Sequence, residues 1–340
     1  MMAKWKKERG NIMNKIQKVV ACLSILSASA VIADTGYSDM VVFGDSLSDP
    51  GNVFVLAGEV SVRPYNAGNI PDAPYPIGGL TFSNGKTWAE RVSAALKLKG
   101  GTGPALRATT FANYAFGGAR ASSSAGGPFD LSAQVGQYFA DTGGSADSEA
   151  LYTVFIGGND VRDALIAFNV TLQQTLIAGG TLPEALAAGQ AAAEVILADA
   201  VTTIADNIIA LGSQGARNFL VPNVPNLGVV PAITDLGANA VTLATQLSFG
   251  FNLALENALS SIEFALPVNI TRFDVFTFIS SVAAAPETFG MVNAVDACLT
   301  PEITKGAVCK RPDDYLFWDG IHPTRTGHNL LAEAALFVLQ

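Results

Sequence analysis

The chain alternates between short apolar runs and long alanine-rich segments with helical spacing. Five runs of continuous apolarity predict strands, at 39–46, 109–116, 151–158, 218–225 and 269–276. Strands that are apolar at almost every position are typical of a parallel sheet buried on both faces. The main helical patterns cover 86–98, 130–141, 182–213, 235–266 and 325–339. The order of these elements predicts one doubly wound α/β domain.

One stretch fits neither pattern. Residues 53–84 are rich in Gly, Pro and Asn and predict a long ordered loop. Loops of that length in compact domains are often functional. The loop also carries apolar and aromatic side chains, which either pack within the loop or form one wall of a groove: Phe54, Tyr65, Tyr75, Ile77, Leu80 and Phe82.

The first 33 residues differ from the rest of the chain. They contain six basic residues and one acidic residue, followed by an apolar run of 15 residues that ends in small side chains. This is the pattern of a secretory signal peptide, and the run is shorter than the ~20 residues that span a bilayer. A membrane anchor or an amphipathic core helix is the alternative. We therefore predict a cleaved signal peptide at 1–33, one domain at 34–340, and a secreted or periplasmic location.

The composition of the predicted mature chain argues against several partners. Without residues 1–33 it keeps 14 basic and 28 acidic residues, a formal charge of −14. Such a chain is unsuited to binding nucleic acid or to electrostatic docking on anionic lipid. The two remaining cysteines, Cys298 and Cys309, form an even pair, which in an exported chain indicates one disulfide closing a short loop. Two free buried thiols are the alternative.

Residues with useful chemistry follow the predicted strands. Ser46 ends the first apolar run, Gly118 follows the second and Asn159 follows the third. Asp319 and His322 follow the apolar segment before the last helix. Because open parallel sheets bind ligands at the carboxyl ends of their strands, we expect these five residues to meet at one edge.

Acyl transfer needs this set of groups. A serine becomes nucleophilic when an imidazole takes its proton, and a carboxylate fixes the imidazole tautomer and stabilises the imidazolium ion. Ser46, His322 and Asp319 are the candidates. The N–H groups of Ser46 and Gly118 and the side-chain amide of Asn159 would stabilise the oxyanion.

Each motif alone has another explanation. Gly-Asp-Ser could close a turn, Gly-Gly-Asn-Asp could be a type I′ turn or a helix N-cap, and His-Pro-Thr could begin a helix capped by Thr324. The only other histidine, His328, lies in the last helical pattern, where a packing or surface role is expected. The order of the motifs and their shared place at strand ends favour catalysis.

Two rival hydrolase classes do not fit the sequence. No serine has glycine at both −2 and +2, as the G-x-S-x-G elbow requires. The two histidines, six residues apart and without an H-E-x-x-H motif, offer no zinc set. We therefore expect neither a metal nor a cofactor.

Taken together, the motifs resemble those of the GDSL, or SGNH, esterase and lipase family. FGDSLSDPGN is similar to its first block, NYAFGGA to its second, GGND to its third and DGIHPT to its fifth. The resemblance implies a three-layer, flavodoxin-like α/β/α sandwich with a parallel sheet of about five strands. It implies Ser46 as nucleophile with Asp319 and His322, and Gly118 and Asn159 as oxyanion donors beside the Ser46 N–H.

The same resemblance implies supporting roles and a substrate class. Asp45, Asn113 and Asp160 lie within the matching blocks, and we expect Asp45 to hold the nucleophile turn. The segment FSNGKTWAE and the cysteine pair before the last block look most like secreted esterases, lipases, phospholipases and glycerophospholipid acyltransferases.

The expected function is therefore that of a secreted serine ester hydrolase. Lipid esters are the first expectation and sugar-linked acetyl esters the second, and a lipid substrate implies transient contact with a lipid interface. An acyltransferase that passes the acyl group to a sterol or another alcohol is the alternative from a different reaction class. A non-catalytic exported binding protein is the third.

Overall fold

The computed structural model describes residues 36–66, 73–107 and 113–340. The predicted signal peptide at 1–33 lies outside the described residues, as does the first half of the second predicted strand. Residues Gly36–Gln340 group into one unit by their contacts. The boundaries of the mature domain, 34–340, stay a prediction.

Four parallel strands form the central sheet. In sequence order across the sheet they are β1 Met40–Gly44, β2 Leu151–Phe155, β3 Asn218–Pro222 and β4 Asn269–Phe273. On the free side of β1, Asn113 makes a parallel bridge to Val42, and the Phe116 N–H donates to the Gly44 carbonyl. Residues 113–116 therefore lie where the second predicted strand belongs, and the predicted parallel sheet is confirmed.

Helices cover both faces of the sheet. Their bounds are α1 Asn52–Ala57, α2 Trp88–Ala95, α3 Leu131–Thr142, α4 Gly158–Ile177, α5 Leu182–Ser213, α6 Pro231–Thr234, α7 Ala238–Ala265, α8 Val275–Ala284 and α9 Arg325–Val338. Short 3₁₀ turns occur at Ser123–Ala125, Leu227–Val229, Pro286–Phe289 and Pro312–Asp314. Helices α2 and α9 pack together, while α5 packs on α3 and α7. Because crossovers between parallel strands are right-handed in nearly all proteins, we infer that these two groups lie on opposite faces. A parallel sheet flanked by helices confirms the predicted fold class.

The sequence explains where the longest helix begins. At the start of α5, Thr181 and Glu184 form a capping box, with Pro183 in the first turn.

By length and composition α5 could cross a bilayer, since its most apolar window has a mean hydropathy of 1.6. In this structure 44% of that window is buried inside the protein.

Several elements were not predicted. Helix α4 begins directly at the Gly-Gly-Asn-Asp motif and packs along α5. The two helices are so close that a Cβ on Gly189 of α5 would lie 2.8 Å from the Phe168 carbonyl oxygen of α4. Helix α8 and a small second sheet, β5 Asn293–Ala297 with β6 Tyr315–Phe317, are also additions. The prediction of a single sheet was therefore incomplete.

A disulfide joins Cys298 to Cys309, 11 residues apart, so these cysteines are not free thiols. The Cys309 N–H donates to the Cys298 carbonyl within the closed loop. The Cys298 N–H donates to the Phe317 carbonyl, and the Leu299 N–H to that of Trp318. The loop therefore holds the backbone immediately before Asp319.

Removing this disulfide is expected to destabilise the protein. In the loop-closure model a loop of this length restricts the unfolded chain enough to stabilise the fold by about 2–3 kcal/mol. Urea unfolding of the Cys298→Ala/Cys309→Ala double variant should show a fall in unfolding free energy of about that size. Equal stability of variant and parent, or two freely titrating thiols in the native parent, would contradict a structural bridge.

Candidate active site

The turn after β1 presents Ser46 at the carboxyl edge of the sheet. Every residue of β1 is buried. In the turn, Asp45 accepts the Leu47 N–H on its Oδ1 at 3.0 Å, and its carbonyl accepts the N–H groups of Ser48 and Asp49. Ser46 is only 9% exposed. The sheet thus fixes the position of the serine, and Asp45 holds the turn.

His322 connects Ser46 to a carboxylate. Its Nε2 lies 2.8 Å from Ser46 Oγ, and its Nδ1 lies 2.8 Å from Asp319 Oδ2. Because an ionised carboxylate can only accept, the proton belongs on Nδ1, which leaves Nε2 free to accept the Ser46 hydroxyl. Asp319 Oδ1 accepts the N–H groups of Ile321 and His322, so the loop after β6 fixes its own carboxylate.

Asp45 is buried close to this chain of hydrogen bonds without joining it. Burial raises the pKa of Asp45 to about 6, against the opposing effects of the Leu47 N–H and of nearby His322. Asp319, not Asp45, contacts the imidazole. This distribution of contacts agrees with the support role expected for Asp45.

The two backbone donors expected in an oxyanion hole have no hydrogen-bond partner among the described residues. Neither the Ser46 N–H nor the Gly118 N–H donates to a backbone group in residues 36–66, 73–107 or 113–340. Gly118 has a φ of +80°, a conformation that residues with a side chain rarely adopt, and a Cβ there would meet nothing within 4 Å. The positive φ, rather than a lack of room for a side chain, therefore explains why glycine occupies position 118.

Asn159, in the first turn of α4, joins the glycine loop to the site. Its Nδ2 donates to the Ala119 carbonyl at 2.9 Å, which leaves one amide hydrogen for a ligand. Asn159 lines the same pocket as Ser46 and His322, whereas Gly118 is not among the pocket's lining residues. Gly118 directly precedes Ala119, whose carbonyl accepts the Asn159 amide. The glycine is therefore linked to a pocket residue without lining the pocket itself.

The two remaining predicted support residues are both fully buried. The carboxylate of Asp160 accepts the N–H groups of Ala121 and Ser122, each at 2.9 Å, and so holds the chain just after Gly118. Asn113 donates from Nδ2 to the Ser48 carbonyl at 2.7 Å. These contacts fit the expected support roles.

Sequence reasoning missed one further buried carboxylate near the site, that of Asp49. Asp49 accepts the backbone N–H groups of Gly51, Asn52 and Val53, and also that of Gly117 at 2.9 Å. It therefore joins the nucleophile turn to the glycine loop. Burial raises the pKa of Asp49 to about 6, although these N–H groups act in the opposite direction. The turn-forming sequence around it, Ser-Asp-Pro-Gly-Asn at 48–52, was the signal that could have indicated this structural role.

The pocket at Ser46 has mainly apolar walls. They come from the 225–233 segment, from α8 and from the last motif loop, and include Pro225, Leu227, Val230, Ile233, Ile279 and Ile321. No residue of the 53–84 loop in the described part of the chain lines this pocket. Tyr65, Tyr75 and Ile77 pack instead with the disulfide. Tyr65, Tyr75 and Ile77 therefore do not form a wall of this pocket, whereas the ring of Phe82 in the same loop lies against His322, with ring centroids 5.4 Å apart.

Comparison with protein families agrees with the motifs. Residues 40–335 match the model of the GDSL-like lipase/acylhydrolases. The chain belongs to this family. The prediction of a hydrolase of ester bonds is thereby confirmed at family level.

Individual relatives of the chain are distant. The chain is 24% identical to Lipase 1 of Photorhabdus luminescens, with 92% of the chain and 52% of that protein aligned. It is 24% identical to the thermolabile hemolysin of Vibrio parahaemolyticus, over 92% and 66% of the two chains. A GDSL esterase/lipase of Arabidopsis thaliana is also 24% identical, over 89% and 84%. The chain thus spans only about half to two thirds of the first two relatives.

Two solved structures show a weaker overall likeness. The extracellular lipase of Streptomyces rimosus aligns with a TM-score of 0.42 and 16% identity, covering 89% of this chain and 98% of that one. Phospholipase A1 of Streptomyces albidoflavus aligns with a TM-score of 0.37 and 14% identity, covering 88% and 98%.

Proposed function

We propose that this chain is a serine hydrolase of lipid esters that acts through an acyl-Ser46 intermediate. The observation that carries the proposal is the hydrogen-bonded series Ser46–His322–Asp319 at the mouth of an apolar pocket. Family membership supplies the reaction class. The apolar walls favour an acyl chain over a polar sugar as the group that enters the pocket.

The contacts support a two-step reaction. Ser46 Oγ attacks the ester carbonyl while its proton moves to His322 Nε2, and Asp319 stabilises the imidazolium. The Ser46 and Gly118 N–H groups and the Asn159 amide stabilise the oxyanion, and His322 then protonates the departing alcohol. In the second step His322 takes a proton from the water that attacks the acyl-serine, then returns it to Ser46 Oγ as the ester bond breaks and the acid leaves.

A panel of p-nitrophenyl esters with increasing acyl length tests the substrate class, with a phospholipid assayed in parallel. The proposal expects turnover of C8 and longer esters, because the pocket walls are aliphatic. A sharp optimum at acetyl with no turnover at C8 would contradict a lipid substrate and favour a sugar acetylesterase. The Ser46→Ala variant measures the background hydrolysis.

Acyl transfer to an alcohol is the second candidate. The burial of Ser46 and His322 favours it, since limited access of water would prolong the life of an acyl-enzyme. Phospholipid mixed with cholesterol should then give steryl ester. Formation of free fatty acid alone would exclude transfer to this acceptor.

Asn159→Ala is expected to lower kcat by about 10²–10³, with little change in KM. The reason is that its amide contact strengthens as negative charge develops on the substrate oxygen. Asn169→Ala provides a matched control on the same helix, because the Asn169 side chain donates to the Leu165 carbonyl within α4 and to no other described residue. An unchanged kcat in Asn159→Ala would remove this residue from the oxyanion hole.

Export from the cytoplasm is part of the proposal. The Cys298–Cys309 disulfide supports it, because structural disulfides persist in oxidising compartments. N-terminal sequencing of the protein recovered from outside the cytoplasm should begin near residue 34. An intact N-terminus in a cytoplasmic fraction would contradict it.

A further inference from the structure

Tyr75 reaches the candidate catalytic carboxylate from outside the four family motifs. Its hydroxyl donates to Asp319 Oδ2 at 2.9 Å, and the same oxygen lies 2.8 Å from His322 Nδ1. Asp319 Oδ1 receives the N–H groups of Ile321 and His322. Among the described residues, Tyr75 is the only donor to this carboxylate that does not come from the 319–322 loop.

Packing fixes the position of the Tyr75 hydroxyl. The side chain is 1% exposed. Its ring lies edge-on to Trp318 at 5.7 Å and to Tyr65 at 5.6 Å, and its N–H donates to the Thr81 carbonyl. The same cluster contains Cys298, so the disulfide loop forms part of the wall behind Tyr75. A side chain held in this way has little freedom to move away from Asp319.

The direction of this hydrogen bond is fixed. Burial, reinforced by the adjacent Asp319 carboxylate, raises the pKa of Tyr75 far above its ordinary value. Tyr75 therefore keeps its proton and is a donor throughout the pH range in which an esterase is assayed.

We propose that Tyr75 is a positioning residue for the ester hydrolysis, acting through Asp319 on His322. Its hydroxyl holds the carboxylate in the orientation that meets Nδ1. It also shares the negative charge of Oδ2, so that the imidazolium formed in the first step is not held too tightly to protonate the leaving alcohol. The inference rests on the proposed function, because it requires Ser46, His322 and Asp319 to be catalytic.

Loss of the hydroxyl should change both the rate and the pH dependence. With one donor fewer, Oδ2 attracts the proton of the imidazolium more strongly, and the His322–Asp319 pair stays protonated to higher pH. Activity needs the neutral imidazole. The acid limb of the kcat/KM profile should therefore move to higher pH.

Other titratable groups face this pair. Asp45 approaches His322 from the end of β1, with Asp160 and Arg162 also near it, and burial raises the pKa of Asp45 to about 6. His328 approaches from α9, but burial lowers its pKa to about 3, so it stays neutral. None of these groups contacts Tyr75 by a hydrogen bond. Their effects are common to the parent and a Tyr75 variant and cancel in the comparison.

Tyr75→Phe removes the hydroxyl and keeps the packed ring. Tyr65→Phe is a matched control, since Tyr65 is 4% exposed in the same cluster and its hydroxyl has no hydrogen bond in the described part of the chain. In Tyr75→Phe we expect kcat to fall about tenfold with KM nearly unchanged. The acid limb of the kcat/KM profile should move to higher pH by roughly 0.5 unit. The low-field proton resonance of His322 Nδ1–H should move as well, a signature that loss of packing alone does not give.

The outcomes separate this inference from the proposed function. Tyr65→Phe should match the parent in kcat, pH profile and proton spectrum. A Tyr75→Phe enzyme with the parent's kcat and acid limb would overturn the positioning role while parental Ser46 still reacts with a fluorophosphonate. Equal changes in both tyrosine variants would reduce Tyr75 to a packing residue. A parent that does not react at Ser46 would overturn the proposed function, and this inference with it.

Discussion

Replacing Ser46 by alanine is expected to lower kcat for a p-nitrophenyl ester by about 10⁶-fold, to the level left by binding and oxyanion stabilisation. The folded protein should be nearly unaffected, because within the described part of the chain Ser46 Oγ forms a hydrogen bond only with His322 Nε2. Purified parent and variant are compared by initial rates and by thermal unfolding.

Ser123→Ala is the matched control for this loss. Ser123 is an exposed serine that follows the glycine loop, and its hydroxyl contacts Asp199 rather than any group of the site. Its kcat should equal that of the parent. A Ser46→Ala enzyme that retained even a hundredth of the parental kcat would be incompatible with a Ser46 nucleophile.

Replacing His322 by alanine should lower kcat by about 10⁵–10⁶-fold, because Ser46 then has no base and the leaving alcohol has no proton donor. The loss should match that of a double variant with Ser46→Ala, since residues that act as one unit are not additive. Initial rates of the two single variants and the double variant test this.

The second histidine provides the control. His328 is buried in α9, and its Nδ1 accepts the Trp88 N–H at 3.2 Å. Burial lowers its pKa to about 3, so it is neutral at working pH. His328→Asn can keep an acceptor for Trp88 and should change stability more than kcat. A loss of kcat in His328→Asn comparable to that in His322→Ala would contradict the assignment of the base.

Local patterns were sufficient to predict much of the fold. The run Met40–Gly44 is apolar because both faces of β1 are covered, and helix α5 begins and ends where its pattern does, at Leu182 and Ser213. Ser46 and Asn159 follow strands of the central sheet, whose carboxyl ends meet at one edge, as predicted. Asp319 and His322 instead follow β6 of the second sheet, so the strand-end rule does not account for their position.

What the sequence did not predict depends on distant contacts. Helix α4 was missed because Gly-Gly-Asn-Asp fits a turn as well as a helix start, and packing on α5 decides between them. The pocket walls come from the 225–233 segment and from α8, which no local pattern connects to Ser46. Tyr75 meets Asp319 across 244 residues, and nothing near Tyr75 in the chain indicates this contact.

The most direct test of the account is covalent labelling with a fluorophosphonate. Its phosphorus is attacked by an activated serine with loss of fluoride, so the protein should gain one adduct. Intact-mass and peptide mass spectrometry should find a single adduct on Ser46 in the parent, none in Ser46→Ala, and far slower labelling in His322→Ala. An adduct elsewhere in the parent, or labelling that persists in Ser46→Ala, would contradict Ser46 as the nucleophile.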